Sequence, residues 1–176
     1  CAFMDGFHPN TVFSSIDRMG RYSYINQPSI AQWNLSCFAE TILPLIDGNE
    51  KIAISQAAES ICRFKSEFEI LYLSLLRRKL GLITERTEDN HLIQELFDCM
   101  AENKTDFSHT FRALSELSDH ASDLDFSMEK LFKNPKKINN WLIKWRDRLP
   151  HETRKEDERK ADMRSVNPKF IPRNHR

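Results

Sequence analysis

Backbone capture of a triphosphate needs clustered glycines, because only glycine lets successive N–H groups close on the anion. The chain has 4 glycines in 176 residues, and neither GxGxxG nor GxxxxGK[ST] occurs. Nucleotide binding by either device is therefore not expected. A HExxH zinc pair is also missing, and the six histidines at 8, 91, 109, 120, 151 and 175 stand singly, as surface or capping residues do. Ser108-His109-Thr110 sets a nucleophile beside a base. Adjacent helix positions point about 100° apart, so that hydrogen bond is not expected. Glu88, Asp89, Glu95 and Asp98 lack the glycine and alternating oxygen ligands of a calcium loop, and a solvated acidic face is expected. Cysteines at 1, 37, 62 and 99 form no CxxC pair; Cys37, Cys62 and Cys99 fall in helical apolar patterns, where a reduced cysteine acts as a small hydrophobe. This usage favours a reducing compartment.

No catalytic, cofactor-binding or metal-ligating residue is thus expected here. The unusual stretch is 1–27, CAFMDGFHPNTVFSSIDRMGRYSYINQ, which has no secondary-structure period. A loop of about 27 residues is too long for a plain connector and is usually functional or disordered. Its aromatics Phe3, Phe7, Phe13, Tyr22 and Tyr24 argue for ordered docking. Arg21, Tyr22 and Tyr24 are the candidate functional residues. A guanidinium beside two tyrosines suits either a carboxylate, which would anchor the loop, or a phosphate. The anchor is the preferred role, so Arg21→Ala is expected to disorder the loop.

Lys plus Arg and Asp plus Glu are 26 each, which removes any overall bias toward nucleic acid or an anionic membrane. The charges are segregated all the same. Residues 85–129 hold 12 acids and 3 bases, and residues 130–176 hold 6 acids and 15 bases. The two blocks are expected to face one another or solvent. No run of about 18 apolar residues occurs, so no membrane span is expected in these residues.

Helical periods must supply the scaffold, since no hairpin signal is present. After Pro28, with Ser29 as cap, Ala31, Leu35, Phe38, Ile42 and Leu45 form one stripe, ended by Pro44 and the Asp47-Gly48-Asn49 turn. A long helix from about Glu50 to Leu80 repeats Ile61, Phe64, Phe68, Leu71 and Leu75, with Tyr72, Leu76 and Leu80 widening the face, and is expected to be the central core element. Gly81 suits a left-handed cap. A third helix starts near Thr87 and buries Leu92, Ile93, Leu96, Phe97 and Met100; Thr105 or Asp106 caps a fourth with Phe107, Phe111 and Leu114. A short helix covers 126–132. The next covers 136–149 and places Ile138, Trp141, Leu142, Trp145 and Leu149 on one face as core anchors. Residues 151–165 carry five acids and five bases, with Arg154–Glu158 and Glu156–Lys160 as i,i+4 pairs. Such pairs are worth about 0.3–0.5 kcal/mol each, so this helix is expected to be weakly held.

Read together, CAFMDGFHPNTVFSSID, GRYSYINQPSIAQWNL, RRKLGL, DFSHTF, NWLIKWRDRL and MRSVNPKFIPRN resemble the carboxy-terminal half of the selenoprotein O family, in order along the chain. The longest of these, at 20–35, is also the most specific. The resemblance implies a protein-kinase-like fold and a protein adenylyltransferase that binds ATP with Mg²⁺ or Mn²⁺ and moves AMP to Ser, Thr or Tyr hydroxyls of proteins. It implies that the phosphate contacts, the base and the metal-binding Asp of an Asp-Tyr-Gly-Pro motif lie upstream of Cys1. On this reading 1–27 is an activation-segment-like loop, 28–149 the helical core of the larger lobe, 150–166 a charged helix and 167–176 a basic tail. The chain is then mainly α, a fragment expected to be inactive by itself, with the upstream half of the same protein as its partner. Many relatives have a cysteine at the place of Phe13 that links to the far carboxy-terminus, which Phe13 cannot do. An intracellular setting is implied, with bacterial cytoplasm and mitochondrion both open. From a different class, a non-catalytic helical module docking an acidic partner is the alternative; nucleic-acid binding by 130–176 is least favoured because stacking aromatics are lacking.

Overall fold

The computed structural model of the chain describes residues 4–12 and 14–172. Cys1, Phe3, Phe13 and His175 lie outside the described residues, as do the tail's last positions, 173–176. Seven α-helices and no strand are found among the described residues: α1 Gln27–Ile46, α2 Glu50–Lys79, α3 Asp89–Asn103, α4 Phe107–Leu114, α5 Asp125–Glu129, α6 Pro135–Arg148 and α7 Glu156–Val166. Short 3-10 turns, Tyr24–Asn26 and Leu149–His151, precede α1 and follow α6.

Local chemistry explains most of these limits. The Asn49 side chain accepts from Lys51 N–H at the start of α2, Asp106 from His109 N–H at α4, and Asn134 from Lys136 N–H at α6. Gly81 takes φ +79° just beyond α2, as the sequence predicts. Two expected caps fail, and one expected end is met in part. Helix α1 starts at Gln27 with Pro28 in its first turn, where a missing N–H costs nothing, so Ser29 is not the cap. Helix α1 ends at Ile46, directly before the Asp47-Gly48-Asn49 turn as the sequence predicts, but Pro44 lies inside it, two residues before that end. Helix α3 begins at Asp89 without a side-chain cap, and Thr87 points its hydroxyl to Glu88 instead.

The core lies among the last turns of α2, α3, α4, α6 and α7. The faces predicted for α3 and α6 are buried as expected, and Trp141 and Trp145 stack at 6.3 Å while donating Nε1–H to Leu92 O and Leu80 O. Those bonds satisfy the polar edge that a buried indole carries. Helix α2 is the correction. Leu76 and Leu80 reach the core, but Leu71 and Leu75 are exposed and Ile61, Phe64 and Phe68 only half-buried. Helices α1 and α2 pack on each other as a hairpin, with Gln32 Nε2–H donating to Ile61 O. Each has one partner along most of its length. On α1, Leu35, Phe38 and Leu45 of the predicted stripe therefore stay exposed.

The charged stretch is also corrected. Met163 and Arg159 of α7 are buried, and Arg159 donates to Leu117 O at 3.0 Å with its guanidinium 5.1 Å from the Trp145 ring. Glu156–Lys160 pairs at 2.7 Å as predicted, whereas Arg154 pairs with Asp162 and reaches Gly81 O. The acidic and basic blocks do face one another: Arg146 forks onto Asp125, Arg148 meets Asp89, Lys144 meets Glu95 and Arg164 meets Glu116. Asp89, expected in solvent, is fully buried in that pairing. Among the described residues, no helix is long and apolar enough to cross a membrane.

Candidate functional site

The amino-terminal segment is folded onto the helices, and backbone bonds fix it at two places. Phe7 N–H donates to Thr105 O and Phe107 N–H to Asp5 O, both at 2.8 Å, forming an isolated bridge between Gly6 and Asp106. Gly6 is required there, because a Cβ would sit 2.9 Å from Lys104 O. The Phe7 ring then enters the core against Phe97 at 5.0 Å and Tyr24 at 5.4 Å, edge-on to the latter. Further along, Tyr24 N–H donates to Thr11 O and Ile25 N–H to Pro9 O.

The stretch between turns on Asp17. Its carboxylate accepts from Tyr22 N–H at 2.7 Å and Arg21 N–H at 3.0 Å, and these backbone donors hold its pKa below the ordinary aspartate value. Gly20, at φ +71°, allows the reversal, and Asn26 Nδ2–H donates to its carbonyl. The tip stands in solvent, with Ile16 89% and Met19 92% exposed.

The three predicted residues fall in different settings. Arg21 is exposed, and its guanidinium lies 4.2 Å from the Trp33 ring centroid; the expected carboxylate partner is replaced by an aromatic face on α1. Tyr22 and Tyr24 both line a cleft of about 380 Å³ between the segment, α2, α4 and residues 167–171. Tyr24 also shares a 2.7 Å hydrogen bond with Tyr72 of α2. Burial, then the neighbouring Tyr72, push the Tyr24 hydroxyl pKa well upward, so it stays protonated.

Sequence reasoning missed Lys79, Tyr72, Trp33 and Asn167. Lys79 Nζ reaches the same cleft and donates to Val166 O and Asn167 Oδ1, each at 3.0 Å. Asn167 is buried and returns bonds to Lys79 O and Ser115 Oγ. A signal did exist: Tyr72, Leu76 and Lys79 follow a four-three step, which puts the lysine on the inward stripe.

Among the described residues, Asp119, His120 and Glu156 are the one group of three ligand-type side chains close enough to share an ion. Glu156 already accepts from Lys160 and Asp119 N–H, and His120 Nδ1 sits 2.8 Å from Asp119. Ser108 lines the cleft, while His109 faces Asp106 at 3.9 Å. Cys37, Cys62 and Cys99 are free, and Cys62 is exposed instead of acting as a small core hydrophobe.

The family model described as "Protein adenylyltransferase SelO" matches residues 1–176. The chain is 46% identical over 176 residues to the protein nucleotidyltransferase YdiU of Rhizobium meliloti (strain 1021), covering 100% of this chain and 36% of that protein. Identity to the protein of the same name from Bradyrhizobium sp. (strain BTAi1) is 48% over 176 residues, covering 100% of this chain and 35% of the relative. The one from Nitrobacter hamburgensis is 47% identical over 177 residues, again at 100% and 35%. The chain thus spans about a third of the length of the curated relatives it matches. With the match running through every residue, the chain belongs to the SelO family of protein adenylyltransferases.

Proposed function

We propose that this chain is the helical, acceptor-facing part of a protein adenylyltransferase that transfers AMP from ATP to Ser, Thr or Tyr hydroxyls of proteins. Residues 28–149 would be the helical core of its kinase-like larger lobe, 1–27 its activation-segment equivalent and 150–166 a charged helix. The groups that hold ATP and Mg²⁺ or Mn²⁺ belong on this reading to polypeptide outside these residues, so no chemical step is assigned to a side chain described here.

One observation carries the proposal: an irregular segment pinned by Phe7 and Tyr24, yet presenting Ile16 and Met19 to solvent. A segment anchored at its roots and apolar at its tip suits contact with another protein surface. The exposed Phe38, Leu45, Leu71 and Leu75 of the α1–α2 hairpin similarly suit cover by the remainder of the polypeptide. An acidic-partner module is less well supported, because Lys144, Arg146, Arg148 and Arg164 of the basic block are already paired with the acidic block.

The test uses the full-length protein carrying this chain, with Mn²⁺, a protein acceptor and ATP labelled at either the α or the γ phosphate. AMP transfer places α label and no γ label on the acceptor. Transfer of γ label instead would mark a kinase and overturn the proposal.

A further inference from the structure

The cleft that Lys79 enters has no role in the reading above, and its chemistry is lopsided. Its walls are mainly apolar, with Phe107, Phe111, Met4 and Ile171 among the lining side chains. The Lys79 ammonium lies 5.1 Å from the Phe111 centroid and 5.9 Å from that of Phe107. Both acceptors of its N–H groups are uncharged amide oxygens, and among the described residues no carboxylate pairs with it. Burial accordingly lowers its pKa from the ordinary lysine value. A positive charge held in apolar surroundings without a counter-charge favours whatever anion can reach it.

We infer that this cleft binds a small amphiphilic monocarboxylate, its head on Lys79 and its aryl or alkyl body against Phe107 and Phe111. Charge complementarity selects the head: one ammonium, with two of its three N–H groups already donated, matches a single negative charge. A phosphate dianion would need further charged donors in a low-dielectric site. The space, about 380 Å³, falls in the range of small-molecule sites, and the apolar walls select the body. The Tyr22 and Tyr24 side of the cleft belongs to the amino-terminal segment, so an occupant would bridge that segment to α4.

Calorimetric titration of the full-length protein carrying this chain tests the inference, with 4-phenylbutyrate as probe and 4-phenylbutanol as its uncharged counterpart. Saturable binding of one carboxylate is expected, at least about tenfold tighter than the alcohol and weakened at least about tenfold by Lys79→Met, the effect of one lost charge-assisted hydrogen bond. Ser108→Trp, which fills the cleft and leaves the Lys79 bonds untouched, is expected to abolish binding and decides the matter should Lys79→Met fail to fold. No saturable binding, equal affinity for the alcohol, unchanged affinity in either folded variant, or competition by inorganic phosphate would each overturn it.

Discussion

Arg148 ties three stretches of chain together through one guanidinium. It donates to Asp89 at the start of α3, to Glu152 beyond α6, and to Thr84 O in the turn after α2. Burial works against its charge, and Asp89 and Glu152 more than offset that, so its pKa is raised. Since Asp89 is 0% and Arg148 4% exposed, Arg148→Met would leave a buried carboxylate unpaired. The expected loss is about 3–5 kcal/mol in chemical denaturation, partly recovered in the double variant with Asp89→Leu. Arg21 contrasts with it. Its exposed guanidinium rests on Trp33, worth about 0.5–1 kcal/mol, while Asp17 and the backbone bonds of 22–26 shape the segment. Arg21→Ala should therefore raise protease sensitivity of the segment only slightly, where the sequence alone suggested its collapse.

At the scale of elements, α7 is the instructive one. Its docking depends on Gly81, where a Cβ would come within 2.6 Å of Met163 Sδ and 2.8 Å of Arg159 Cγ. Gly81→Ala adds left-handed strain to that clash and is expected to cost about 2–4 kcal/mol, with early proteolytic release of α7. The same region has an acid limit. Glu156 is lowered from 4.5 to about 2, first by its hydrogen bond from Lys160, then by Asp119 N–H and Ser118 acting against burial. At Glu152 burial raises the pKa, but the Thr84 hydroxyl and the Ile83 and Thr84 N–H groups outweigh it and the net shift is downward. Both groups are more acidic folded than unfolded, so their stabilisation is complete above about pH 5 and fades as pH falls toward 2. Thermal unfolding across that range should show the fall, and Glu156→Gln should flatten part of it. Helices α3 and α6 were legible in sequence because their apolar spacing is also their burial. The docking of α7 was not, because Arg159, Lys160 and Arg164 make it, and an apolar pattern does not register buried guanidinium stems or a glycine contact.

Across the whole molecule, charge segregation along the chain becomes cohesion in the fold, since acids of 85–129 meet bases of 130–176 at several helix contacts. That much followed from composition. The open faces of α1 and α2 did not, because a periodic stripe marks a face that wants cover without saying what covers it. The Lys79 cleft escaped for a related reason: its walls come from 4–27, α2, α4 and 167–171, which no local pattern joins. What the assembled chain presents is a helical body with an anchored, outward-reaching segment, and the proposed function assigns the grip on the triphosphate to residues outside it. Calorimetric titration of the purified 176-residue chain with ATP and Mg²⁺ or Mn²⁺ asks this directly. No saturable heat is expected at ATP concentrations that saturate the full-length protein. Metal-dependent, stoichiometric binding of ATP by the chain alone would contradict the assignment of the nucleotide-gripping groups to other residues.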